Sequence, residues 1–228
     1  MVVTYSDDGL TATFTGISGD TLLGGTASLT NSITNITATI AIVEDYSIIG
    51  SSAFEYADEL INITISNSVT NIGPNAFRIA TKLTTVTFEA GSQLKIISPY
   101  VFYRASALTS ITITAMVTEI GDHAFDEATK LETVTFEAGS LLKIIDKYAF
   151  QYAESLTEIT IPASVTEIGP SAFQWAKSLT TVTLYSDTIT SLNKLSPSPN
   201  IPTSSGTMET FFGASLPNNG TITINVII

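Results

Sequence analysis

Apolar residues recur along this chain in two different rhythms. In "LTTVTFEAGSQLKII" (Leu83 to Ile97), Val86 and Phe88 alternate with Thr85 and Thr87, a period of two that predicts a half-buried strand with its apolar side turned inward. The same phrase returns at Leu108, Ile111 and Ile113, and again at Leu131, Val134 and Phe136. Upstream of each strand, an alanine follows a phenylalanine by three and a leucine by six, as in Phe77, Ala80, Leu83 and Phe125, Ala128, Leu131. That spacing predicts one face of a short helical turn, with a small residue where the turn approaches its neighbour. A second apolar pair closes each unit: Val69 with Ile72, Leu94 with Ile97, Val117 with Ile120.

The units form a register. "IGSSAF", "IGPNAF", "ISPYVF", "IGDHAF", "IDKYAF" and "IGPSAF" end at Phe54, Phe77, Phe102, Phe125, Phe150 and Phe173, at intervals of 23, 25, 23, 25 and 23. Two coil types therefore alternate, and the larger period is 48 residues: "LTTVTFEAGSQLKII" returns as "LETVTFEAGSLLKII" at Leu131 to Ile145. The two extra residues of the longer coil fall in the "EAGS" turn, where Gly91 and Gly139 can take positive φ without steric cost. One coil cannot bury its own apolar faces, so the coils must stack.

The pattern "LTEITIPASVTEIGPSAF" (Leu156 to Phe173) resembles the BspA-like, or Treponema pallidum-type, leucine-rich repeat, and the similarity runs from about Thr39 to Leu184. The resemblance implies an α/β repeat fold: a right-handed solenoid with a parallel β-sheet on its concave face and short helical turns. Two departures stand out. Alanine occupies positions 57, 80, 105, 128, 153 and 176, where family members often carry cysteine, and residues such as Ser68, Gly91 and Ser164 replace the asparagine of many other leucine-rich repeats. The family's usual role implies surface attachment or binding to host and matrix.

The ends read as caps. "VVTYSDDGLTATFTG" predicts a β-hairpin around "DDG", which divides the chain into an N-terminal cap (1–38), the repeats (39–184), a Pro/Ser-rich loop (185–210) and a terminal partial repeat (211–228). The closing "NVII" would leave an open strand edge, an invitation to homodimer formation through the C-terminal end.

In each "xIxI" strand the residue between the apolar pair points outward. Coil by coil that position holds Thr64, Thr87, Thr112, Thr135, Thr160, Thr183 and Thr223, and the neighbouring outward column holds Asn62, Thr85, Ser110, Thr133, Glu158, Thr181 and Thr221. These columns are the expected binding face. Threonine is also a good strand former, so the column has a purely structural cause as well. Two residues after each phenylalanine, Tyr152 and Trp175 sit in adjacent coils as candidate flank anchors for a partner.

Composition narrows the classes. Twenty-one acidic against nine basic residues, a net charge of -12, disfavours nucleic acid and anionic membrane surfaces. No cysteine is present, which removes disulfides, thiolate metal sites and cysteine nucleophiles. The single histidine, His123 in "GDHAF", reads as an exposed turn residue and not as the base of a catalytic triad. Nearby Glu119, Asp122, Asp126 and Glu127 lack EF-hand spacing, and no nucleotide-binding fingerprint occurs. No signal sequence or apolar run of membrane-spanning length is read in the chain. Asn35, Asn62 and Asn219 begin N-x-T sequons, of consequence only in a glycosylating pathway.

The expectation is thus a module without enzyme activity or cofactor. The resemblance implies that it binds a protein or glycan outside the cell or at its surface. The alternatives are a structural spacer within a larger surface protein, or an ice-binding solenoid working through Thr85/Thr87, Thr133/Thr135, Thr181/Thr183 and Thr221/Thr223.

Overall fold

The computed structural model describes residues 2–5, 11–15, 21–22, 38–42, 47–185 and 223–227. The longer strands run β1 (Val2–Tyr5), β2 (Thr11–Thr15), β4 (Ala38–Ile42), β6 (Leu60–Ile65), β8 (Thr85–Phe88), β10 (Ser110–Ile113), β12 (Thr133–Phe136), β14 (Glu158–Thr160), β16 (Thr181–Tyr185) and β17 (Thr223–Ile227). Between them lie two-residue strands: β3 (Thr21–Leu22), β5 (Ile48–Ile49), β7 (Asn71–Ile72), β9 (Ile96–Ile97), β11 (Glu119–Ile120), β13 (Ile144–Ile145) and β15 (Glu167–Ile168). Strands β1 and β2 pair antiparallel, as a hairpin requires, although its "DDG" turn lies outside the described residues. From β2 onward every pairing is parallel, coil on coil. The long strands and the short strands build two faces of one solenoid.

The core is a set of columns parallel to the stacking direction. Phe54, Phe77, Phe102, Phe125, Phe150 and Phe173 stack with ring centroids 5.1–5.4 Å apart and planes within 19° of parallel. Each pair adds about 0.5–1.5 kcal/mol beyond simple burial. Around them Ala80, Ala105, Ala128, Ala153 and Ala176, Leu83, Leu108, Leu131, Leu156 and Leu179, and the inward strand residues are all buried. The predicted small-residue and strand positions therefore meet in one continuous core.

The turn that carries the phenylalanine is not helical. Among the described residues there is no helix, and 51–56 and its counterparts are successive turns. The reason lies in the backbone: the residues two before and two after each phenylalanine have positive φ, from Ser52 (56°) and Tyr56 (60°) to Ser171 (57°) and Trp175 (63°). Left-handed residues at that spacing cannot sit in a right-handed helix. They instead aim alternate N–H groups at the next coil, so Ser52, Phe54 and Tyr56 donate to the carbonyls of Pro74, Ala76 and Arg78. Only the intervening donors bond three residues back within their own turn.

Close coil contact also explains a recurring glycine. A Cβ on Gly121 would come within 2.9 Å of the Pro99 nitrogen, and one on Gly169 within 2.3 Å of the Lys147 nitrogen. At the matching position Ser98 is buried, and its hydroxyl donates to the Ile72 carbonyl. This is the place where the short-strand face is interrupted, between β7 and β9.

The long-strand face also has an interruption. It comprises a seven-stranded sheet ending at β12 and a separate sheet of β14, β16 and β17. Pairing is complete from a short coil to the long coil after it, as in β6 to β8, β10 to β12 and β14 to β16. From a long coil to the following short one it weakens, to a single residue pair between β8 and β10 and to none between β12 and β14. The long coils end their strands with Phe88 and Phe136, which are only half-buried, and then enter the "EAGS" turn where Gly91 and Gly139 have φ of 79° and 77°. The ladder thins or opens where these longer coils meet the shorter coil that follows.

Candidate functional site

The register builds the hydroxyl face. Thr64 lies beside Thr87, Thr112 beside Thr135 and Thr160 beside Thr183. In the neighbouring column Ser110 sits between Thr85 and Thr133, and Glu158 beside Thr181. Thr85, Thr87, Ser110, Thr112, Thr133, Thr135, Glu158 and Thr160 are exposed, whereas Thr64, Thr181 and Thr183 are half-buried. The Thr112 and Thr135 hydroxyls share a 2.8 Å hydrogen bond, and Thr135 reaches the Ile111 carbonyl at 3.4 Å.

The last strand departs from the expected column. Thr223 pairs with Thr181, and Asn225 takes the place beside Thr183. The strand enters two residues later than the alternation alone suggests, because the long connection before it gives the sequence no fixed count. Thr221 lies outside the described residues.

Where the ladder opens between β12 and β14 there is a cleft of about 620 Å³. Thr133, Thr135 and Thr160 line it with hydroxyls, Glu132 and Glu158 with carboxylates, and Tyr185 with a ring. No Lys, Arg or His is among its lining residues. Glu137 lines it as well, but its Oε2 accepts the Ala115 N–H at 2.9 Å. The carboxylates of Glu132 and Glu158, by contrast, have no hydrogen bond or ion pair among the described residues. Tyr185 and Glu132 were not anticipated from the sequence. Tyr185 is nonetheless the next outward step of the "TVTLY" alternation, and Glu132 directly precedes the strand.

On the flank, Tyr152 and Trp175 stack with centroids 6.0 Å apart and planes 3° from parallel. Trp175 is 37% exposed and Tyr152 half-buried, so the pair offers a preformed aromatic edge. Ion pairs occupy this flank in the neighbouring coils, in the same column at Arg104 and Glu127 and one residue earlier at Arg78 and Glu55. Arg104 binds Glu127 at 2.8 Å, and Arg78 binds Glu55 at 2.7 Å. A hydrogen bond from Ser52, assisted by Arg78, holds the Glu55 carboxyl below its ordinary range.

His123 is not an exposed turn residue. It is half-buried, stacked between Tyr100 and Tyr148 at 4.7 Å from each, and its Nδ1 lies 2.7 Å from Asp126. Burial pushes the Asp126 carboxyl up, opposed by the bond to His123. Glu127 is taken by Arg104, and Asp122 by Lys147 at 3.2 Å. Asp122 also lies 3.5 Å from His123 Nε2, so His123 stands between two carboxylates while Glu127 is held by Arg104. Among the described residues no three His, Cys, Asp or Glu side chains gather into a metal-binding group, and no helix is long and apolar enough to cross a membrane.

This coil geometry matches a family model described as "BspA type Leucine rich repeat region", in six copies, over residues 28–144 and 143–196. The chain belongs to the BspA-type leucine-rich repeat family. Several solved structures are similar to it in fold. A leucine-rich repeat protein from Eubacterium ventriosum is 28% identical with a TM-score of 0.56, covering 60% of this chain and 36% of its own. One from Bacteroides ovatus is 24% identical with a TM-score of 0.63, covering 85% and 43%. The pneumococcal vaccine antigen PcpA is 24% identical with a TM-score of 0.59, covering 82% and 51%. The chain spans about half or less of the length of these structures. None of the curated proteins matches it.

Proposed function

We propose that this BspA-type repeat domain is a non-catalytic binding module of a surface or secreted protein, contacting its partner through the hydroxyl face of the long strands. The supporting observation is the set of exposed hydroxyls at Thr87, Thr112, Thr135 and Thr160, with Thr112 in register beside Thr135, carried on a stacked core. Such a face recognises protein or glycan by shape and hydrogen bonding, since rigid placement lowers the entropy lost on binding. Surface location follows the role that the family resemblance implies. The Tyr152 and Trp175 pair extends the contact to one flank.

The test is retention of protein-coated beads on immobilised extracellular-matrix protein and on immobilised glycan. The double substitution Thr112→Lys with Thr135→Lys should abolish retention while leaving the fold intact. Equal retention by the variant, or none by the parent chain, would favour a spacer whose ends make the contacts. The opening between β12 and β14 interrupts the even spacing that an ice lattice needs, which weighs against ice binding.

A further inference from the structure

We propose that the cleft between β12 and β14 binds a neutral oligosaccharide, an inference that rests on the binding-module reading and specifies its ligand. The argument starts from the missing ladder. Where a long coil follows a short one, the outward residues of its strand donate their N–H groups to the preceding coil, as Thr133 does to Thr109 and Thr181 to Thr157. Glu158 and Thr160 have no such partner strand, so polar backbone faces the cleft beside hydroxyl side chains. Exposed backbone of this kind seeks hydrogen bonds from water or a ligand.

An added peptide strand does not fit. Cα atoms of β12 and β14 still approach within 8 Å, whereas two strands flanking an inserted third stand roughly 9.6 Å apart, twice the normal spacing. The opening suits a ligand that enters side-on. Its volume of about 620 Å³ lies within the roughly 300–1,000 Å³ of small-ligand sites.

The lining chemistry selects the class. Thr133, Thr135 and Thr160 both donate and accept, as sugar hydroxyls do, and the uncommitted carboxylates of Glu132 and Glu158 accept two hydrogen bonds each from a vicinal diol. The Tyr185 ring supplies an apolar wall for the C–H face of a pyranose. With two free carboxylates and no basic residue in the lining, uronic and sulfated sugars are repelled.

The experiment titrates the full 228-residue chain with cellohexaose, mannohexaose, maltohexaose and chitohexaose by calorimetry, with hexagalacturonate as the acidic control. At least one neutral hexasaccharide should bind with a Kd of about 1 mM or tighter, and Tyr185→Ala and Glu158→Ala should each weaken it by about tenfold. Hexagalacturonate should not bind. Circular dichroism and melting of both variants confirm the fold, and Thr160→Lys provides a third substitution should Tyr185→Ala unfold. Absence of binding by all four neutral sugars, or binding untouched by these substitutions, overturns the proposal. Binding of a lysine-rich heptapeptide in their place also overturns the carbohydrate assignment, while bead retention sensitive to Thr112→Lys with Thr135→Lys would still uphold the hydroxyl face.

Discussion

The turn side and the strand side of this solenoid are built from the same coils yet obey different periods. On the turn side the phenylalanine stack runs unbroken from Phe54 to Phe173, and each coil donates to the next in the same way. On the strand side pairing alternates between complete and sparse, with a 48-residue rhythm and an opening after β12. The contrast teaches that cohesion is concentrated on the turn side of the cross-section. Coil-to-coil stability, a nearest-neighbour sum in such proteins, rests on the aromatic column, and that leaves the long strands free to diverge where two coil types meet.

Substitutions of decreasing severity probe that division. Phe125→Ala should cost about 3–5 kcal/mol in urea unfolding, because a fully buried ring with a stacked neighbour on each side leaves a cavity that cannot collapse. Val134→Ala, on the strand side next to the opening and 5% exposed, should cost distinctly less, about 1–2 kcal/mol. Equal costs would erase the distinction. Gly121→Ala should destabilise by about 1–3 kcal/mol through its clash with Pro99. Gly139→Ala has open space around its Cβ and only the positive φ to oppose it, so its cost should be near 1 kcal/mol.

Smaller effects test the strand side itself. Thr135→Val removes the bond to Thr112 and should cost about 0.5–1 kcal/mol, whereas Thr160→Val, with no side-chain hydrogen bond across the opening, should lie within about 0.5 kcal/mol of the parent. The smallest effect concerns pH on the flank. Glu55 has its folded pKa held below the ordinary 4.5, so its stabilisation is present above that value and is lost as pH falls through the lower folded pKa. The difference in urea midpoint between the parent chain and Glu55→Gln should therefore shrink between about pH 7 and about pH 3. A constant difference would detach Glu55 from the ion pair with Arg78.

Much of this was legible in the residues. The phenylalanine intervals fixed coil length, the alternation at Val86 and Phe88 fixed which side chains turn inward, and Gly91 and Gly139 announced the positive φ of the "EAGS" turn. The left-handed positions at Tyr100, His123, Arg104 and Trp175 were hidden, because residues of this size take positive φ only when neighbouring coils hold them there. Spacings of three and six therefore looked helical. The aromatic sandwich around His123 was also out of reach: it depends on Tyr100 and Tyr148, a coil away on each side. The opening after β12 arises from the fit between two coil types, a property of stacking that no single repeat displays. The terminal register was missed because a long irregular connection carries no periodicity by which to count.

Backbone hydrogen exchange, resolved residue by residue, tests the division most directly. The amides of Glu158 and Thr160 should exchange at least about tenfold faster than those of Thr133, Thr135, Thr181 and Thr183, while Phe125 and Phe150 remain equally protected. Uniform protection across all six strand amides would contradict an open ladder behind an unbroken aromatic column.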